Sequence, residues 1–365
     1  MTAIAQALSA ALLHFIWQGT LVALLLWMTL SMLRNRTANE RYAASCAALA
    51  LMAALPALTA WMVYRQAGAV PISAAAPAAI PAAIQGPARM ARDSALLAWM
   101  AMWRVWALPA WSVGVWVFAL RLVLGCRHVA ALRRFGHAAE GQIAEMVSLL
   151  AGRMKAGRHI RVLISAMAES PSVVGWLRPA ILLPAAMLAG LEPEQLRAVL
   201  AHEIAHIRRH DYLVNLMQTM VEALLFYHPA VWWVSARMRY ERELCCDDAA
   251  VAMCGDAISY ARALTRLERL RAATPRLALG STGGSLLYRI QRLEGERPEI
   301  GPSKLPGIAA LALSLACFCS HHTLGEGADG ADGGTAAGAR RVGRHGFSHR
   351  RAASPRPRGV SRIRL

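Results

Sequence analysis

The stretch from Ile4 to Leu33 is apolar and carries no charged side chain, with His14 and Gln18 as polar interruptions beyond Gln6 near its start. A bilayer offers the backbone no water, so such a run has little choice but a helix, and about 20 residues suffice to cross. No basic cluster precedes it and no small-residue cleavage pattern follows, so it reads as a retained span and not a signal peptide. A short basic loop, Arg34-Asn35-Arg36 to Arg41, leads to a second span from about Ala43 to Val63. Residues 66–92 are rich in Ala and Pro and read as a loop or linker. A third span falls within Leu96 to Gly125, where Trp99, Trp103, Trp106, Trp111 and Trp116 suit interfacial anchoring. Arg104 and Arg121 would snorkel to the two interfaces. A fourth apolar segment, Leu305 to Cys319, is short for a crossing helix.

Composition agrees with this reading. The chain is 56% hydrophobic and 17% charged, where about 25% charged is usual for a soluble domain. The formal net charge of +18 is almost all arginine, since Lys155 and Lys304 are the only lysines. Arginines scattered between apolar runs fit positive-inside loops. They lack the interleaved aromatics of a nucleic-acid surface, so no specific nucleic acid is expected. The charge rule puts the first loop and the region from Arg127 to about Glu299 in the cytoplasm. The chain is expected to cross a membrane several times. The seven cysteines contain no C-x-x-C pair, which argues against a zinc knuckle or disulfide scaffold. From Ser320 onward the chain is Gly, Ala and Arg with little apolar clustering, and disorder is expected. If Leu305–Cys319 crosses, that basic tail lies on the wrong side for the charge rule. Reading the tail as the frameshifted end of a longer protein would remove the conflict.

The most specific local pattern is His202-Glu203-Ile204-Ala205-His206. Pro193 and Glu194 suit a helix start, and Leu196, Val199, Leu200, Ile204 and Ile207 give that helix an apolar stripe. An H-E-x-x-H on a helix sets two imidazoles one turn apart on one face, where both can bind zinc. The intervening Glu203 can then take a proton from water beside the metal. A catalytic site needs a third protein ligand. Glu243 is the candidate, within Arg242-Glu243-Leu244-Cys245-Cys246-Asp247-Asp248. Asp247, one turn on, can fix the tautomer of a ligand imidazole. The alternative is a solvated acidic face with Arg239 and Arg242, and spacing alone leaves both open. Cys245 and Cys246 are soft ligands or packing residues, and His210 and His228 are metal or oxyanion candidates or structural histidines. Upstream, Arg161 to Ser165 reads as a strand and Val173 to Leu183 as an extended pair broken at Gly175 and Pro179. Tyr212 to Ala236 is apolar but carries Asn215, Gln218, Glu222 and His228. It suits a helix at the membrane surface or partly embedded, because Glu222 in a clean crossing would need a partner.

Several segments together resemble the BlaR/MecR antirepressor metallopeptidases. They are Ser172-Val173-Val174-Gly175-Trp176-Leu177-Arg178-Pro179 through Pro184, His202 through Asp211, Phe226-Tyr227-His228-Pro229-Ala230-Val231-Trp232-Trp233, Arg242 through Asp247, and Gly280 to Leu293 with Arg289-Ile290. The likeness extends over about residues 1–319. It implies a gluzincin-type site in which His202, His206 and Glu243 bind zinc, Glu203 is general base, and Asp247 supports a ligand. It also implies a mostly α membrane protein with about four transmembrane helices and an α+β protease domain between the third and fourth. The expected boundaries are 1–126, 127–300, 301–319 and 320–365. The implied function is cleavage of a cytoplasmic protein, a winged-helix repressor or the chain itself, in signal transduction. A homodimer is compatible with it. Departing from the family, neither lysine has a serine three residues before it, so the acylating Ser-x-x-Lys motif of a beta-lactam sensor is absent. Two alternatives remain: a housekeeping membrane protease of quality-control or CAAX-processing type, and a scaffold with a relic site.

Overall fold

The computed structural model describes residues 2–69, 87–156, 160–175, 179–272 and 283–295. Among the described residues, three stretches of helix are long and apolar enough to cross a membrane. They are α1 (Ala3–Met32), Ala38–Gln66 of α2 (Ala38–Ala69) and Trp106–Phe135 of α3 (Pro87–Phe135). Helix α3 contains the whole expected third span and continues through residues 126 and 127. Residues 87–92 are helical and not part of the loop, because a proline at a helix start loses no hydrogen bond. The fourth apolar segment and the Arg-rich tail lie outside the described residues.

After α3 the chain forms a small mixed sheet in the order β1-β2-β4-β3. The strands are β1 (His137–Ala138), β2 (Arg161–Ser165), β3 (Ser172–Val174) and β4 (Ala180–Pro184), with helix α4 (Gln142–Arg153) between β1 and β2. Strands β2 and β4 pair in parallel with Leu163 opposite Leu182, and β3 pairs antiparallel with β4. The run Ala180-Ile181-Leu182-Leu183-Pro184 is buried throughout, as an unalternating apolar strand must be.

The remaining helices are α5 (Ala185–Gly190), α6 (Pro193–Arg208), α7 (Asp211–Leu224), α8 (Pro229–Cys254), α9 (Ala257–Ala272) and α10 (Gly283–Leu293). Helix α6 starts with a capping box between Glu192 and Gln195 and has Pro193 in its first turn. Its Leu200 and Ile204 are fully buried against the sheet, α8 and α9, each burial stabilising by about 1.5–3 kcal/mol. The segment Tyr212 to Ala236 is not one helix: it divides between α7 and α8 at a turn over residues 225–228.

Helix α8 belongs to two cores. Cys246 and Ala250 pack with α6, α9 and the sheet. Val231, Val234, Met238 and Leu244 pack with Phe15, Val22, Leu26 and Leu30 of α1 and with Tyr42, Leu49 and Met52 of α2. The helix that carries Glu243 is therefore held directly by the two N-terminal spans.

Candidate metal centre

His202 and His206 lie one turn apart on α6, and Glu243 faces them from α8. The Nε2 atoms of the two histidines are 3.2 Å apart. Glu243 Oε2 is 3.5 Å from His202 Nε2, and Glu243 Oε1 is 3.8 Å from His206 Nε2. A tetrahedral ion with bonds of about 2.0–2.1 Å sets its donors about 3.3 Å apart. The three donors therefore fit such an ion, and their nitrogen and carboxylate chemistry suits zinc.

Each imidazole is held from behind. His206 Nδ1 donates to Asp211 Oδ2 at 2.8 Å. His202 Nδ1 lies 2.9 Å from the Tyr260 hydroxyl and 3.2 Å from Asp247 Oδ1. Tyr260 in turn donates to Asp247 at 2.7 Å. Arg289 on α10 grips Asp247 with two hydrogen bonds, at 2.8 and 2.6 Å, and comes within 3.5 Å of Glu243. With both Nδ1 atoms occupied, both Nε2 atoms face the same point, the arrangement a metal site requires.

The charges follow from these contacts. Burial opposes the charged form of His202, but hydrogen bonds to Asp247 and Glu243 outweigh it and raise the imidazole to about 10. Burial likewise raises Glu243, and the bond to His202 overcomes it, leaving the carboxyl at about 2. Asp247 is held below the usual carboxylate range by His202 and Arg289, against its own burial. Glu203 is the exception. Burial raises its pKa, and the neighbouring His206 and His202 offset that only in part. A carboxylate made more basic this way is suited to accept a proton.

Asp211, Tyr260 and Arg289 had no assigned role in the sequence. Asp211 follows His206 by five residues, and the left-handed backbone of His210 (φ 57°) turns the chain so that its carboxylate returns beneath the imidazole. Tyr260 comes from another helix and left no local signal. His210 is exposed and sits beside the Tyr212 hydroxyl. His228 caps the start of α8. Neither stands with the three donors. The Cys246 thiol lies 3.3 Å from His206 Nδ1, on the side away from the shared point, and burial keeps it protonated. Cys245 packs with the α1–α2 core. Asp247 is fully buried, and Arg239 pairs with Glu222, so the two do not form a solvated charged face.

A family model described as BlaR1 peptidase M56 matches residues 10–290 of the chain. The chain belongs to the BlaR1 peptidase M56 family. Among M56 relatives, the regulatory protein BlaR1 of Bacillus licheniformis is 26% identical over 138 residues, which is 37% of this chain and 23% of that protein. The methicillin resistance mecR1 protein of Staphylococcus aureus is 23% identical over 90 residues, 25% of this chain and 15% of that protein. The chain thus aligns with less than a quarter of either relative. The M56 match contains α6, α8 and every side chain that surrounds the three donors.

Proposed function

We propose that this chain is a zinc-dependent endopeptidase of the membrane that cleaves a cytoplasmic protein within a sensor-transducer system. The observation that carries the reading is the meeting of His202 Nε2 and His206 Nε2, 3.2 Å apart, with the Glu243 carboxylate, whose two oxygens lie 3.5 and 3.8 Å from them, beside a buried Glu203. Membership of the M56 peptidase family and likeness to BlaR1 and mecR1 proteins support it.

His202, His206 and Glu243 would hold the zinc. When bound, the ion supplies Lewis acidity and lowers the pKa of a water to about 7. Glu203 accepts the proton of the attacking water and delivers it to the leaving amine. Asp211, Asp247 and Tyr260 keep the imidazoles in one tautomer and orientation through these steps. Strand β3 lies at the end of the sheet, so an extended substrate can add along it and be held by backbone hydrogen bonds. The substrate class we assign is a transcriptional repressor. The protease part, residues 127–300, would face the cytoplasm of a bacterial inner membrane, between the third and a fourth span.

The test is metal content of the purified chain, with His206→Ala and Glu243→Ala alongside. About one zinc per chain, lost in both variants, supports the site; no zinc in folded wild type refutes it. In the same preparation Glu203→Gln should retain zinc and lose proteolysis.

A further inference from the structure

Helix α7 has its polarity inside out. Leu213, Met217, Met220 and Leu224 fall on one face and are 40–54% exposed. The opposite face buries Asp211, Gln218 and Glu222. A helix on a water-soluble surface does the reverse. The Gln218 amide nitrogen and the Glu222 carboxylate find partners inside the protein: Gln218 donates to Ser235 and Glu222, and Glu222 also accepts from Ser235 and Arg239.

The turn after α7 has the same character. The carbonyls of Leu224, Leu225 and Phe226 are taken up by protein. Trp111 of α3 donates to the Leu224 carbonyl at 2.7 Å, and Trp232 donates to the Phe226 carbonyl at 2.8 Å. The His228 amide donates to the Leu225 carbonyl. His228 Nδ1 accepts from the Ala230 amide, so its Nε2–H donates to the Ile16 carbonyl of α1 at 2.9 Å. Tyr227 donates to the Leu12 carbonyl at 3.0 Å. In water such groups need no protein partner; in hydrocarbon each one does.

Two glycines seat the turn against the spans. A Cβ at Gly19 of α1 would lie 2.9 Å from His228 Nε2, and one at Gly114 of α3 would lie 1.9 Å from the Phe226 ring. Gly19 is about 20 Å along the helix from the basic end of α1, at about 1.5 Å per residue. Helix α7 has 14 residues and is therefore about 21 Å long. Its start is level with the first turn of α2, where Arg209 reaches Asn39, and its end reaches the middle of the span.

We propose that α7 and the first half of α8 form a re-entrant hairpin. It enters the bilayer from the side of the metal centre, turns near the middle at Phe226-Tyr227-His228-Pro229, and returns. The occupant of the exposed α7 face is lipid acyl chain, continuous with the lipid-facing surfaces of α1 and α3. The metal centre then sits at the membrane surface, since α7 begins at Asp211, which holds His206. A substrate bond must be presented within reach of that surface.

The unmodified chain, reconstituted in lipid nanodiscs with at most one chain per disc, carries its own probes. Met217 and Met220 are exposed on the protein to an extent similar to Met28, within the α1 span, and Met167, beside the sheet. Hydroxyl-radical footprinting should oxidise Met167 and leave Met217 and Met220 protected to the level of Met28. Oxidation of Met217 and Met220 at the rate of Met167 overturns the hairpin. Protection that appears only with two chains per disc assigns the face to a second copy and also overturns it. The readout needs neither metal nor activity, so it fails or succeeds separately from the peptidase reading.

Discussion

Asp247 makes three contacts, with His202, Tyr260 and Arg289, and so is itself held in place where it supports one imidazole. Asp211 supports the other with a single short bond. Replacing either by Asn should keep the fold and weaken zinc binding by about 10–100-fold, as loss of a ligand's supporting carboxylate does; competition with a chelator measures it. The metal-free cluster also sets a pH dependence. His202 is raised to about 10, so its share of stability is present below about pH 6.5 and is lost as the pH rises through 10. Glu243 is lowered to about 2, so its share is present above about pH 4.3 and is lost as the pH falls through 2. Chelated protein should therefore melt at a lower temperature at about pH 10 than at about pH 6, and a flat profile would show that these pairs do not stabilise it.

At the scale of elements, the turn between α7 and α8 depends on absent side chains. Phe226 stacks on Phe118 with centroids 5.4 Å apart, and its ring occupies the space a Cβ at Gly114 would need. Gly114→Ala should cost about 1–3 kcal/mol, the usual penalty of overpacking. Adding Phe226→Ala should recover part of it in a double-mutant cycle of thermal melts, because the clash then has no second partner. Additive losses would show that the two side chains do not meet.

At the scale of the molecule, the candidate metal site and the membrane-length helices α1 and α2 share one packing partner, α8. Arg41, at the start of α2, bonds to the buried Glu241 at 2.9 Å, two residues before Glu243. The α8 side chains Val231, Val234 and Met238 are covered by α1 and α2. A fragment that begins at residue 127 exposes that surface and leaves Glu241 without one of its arginines. It should fail to bind zinc in stoichiometric amount and should lose near-ultraviolet circular dichroism, while the full chain in detergent keeps both.

The sequence by itself determined what depends on neighbours along the chain. The length of the apolar runs makes α1, α2 and α3 membrane-length helices, and the stripe from Leu196 to Ile207 puts His202, Glu203 and His206 on one helix. The strand at Arg161–Ser165 and the pair around Val173–Leu183 were legible for the same reason. Tertiary structure decided what depends on packing between distant segments. Along the sequence Glu243 reads equally as ligand or solvated acid, and only the packing of α8 on α6 brings its carboxylate within 3.5 Å of His202 Nε2. Tyr260 reaches the site from a helix that carries no motif, Arg289 from a segment that resembles the family but gave its side chain no role, and Asp211 through one left-handed residue. The break at residues 225–228 was hidden because hydropathy sums a segment's polarity, whereas folding sorts it by face. The apolar stripe of α7 can face outward because Glu222 and Gln218 find their partners within the protein.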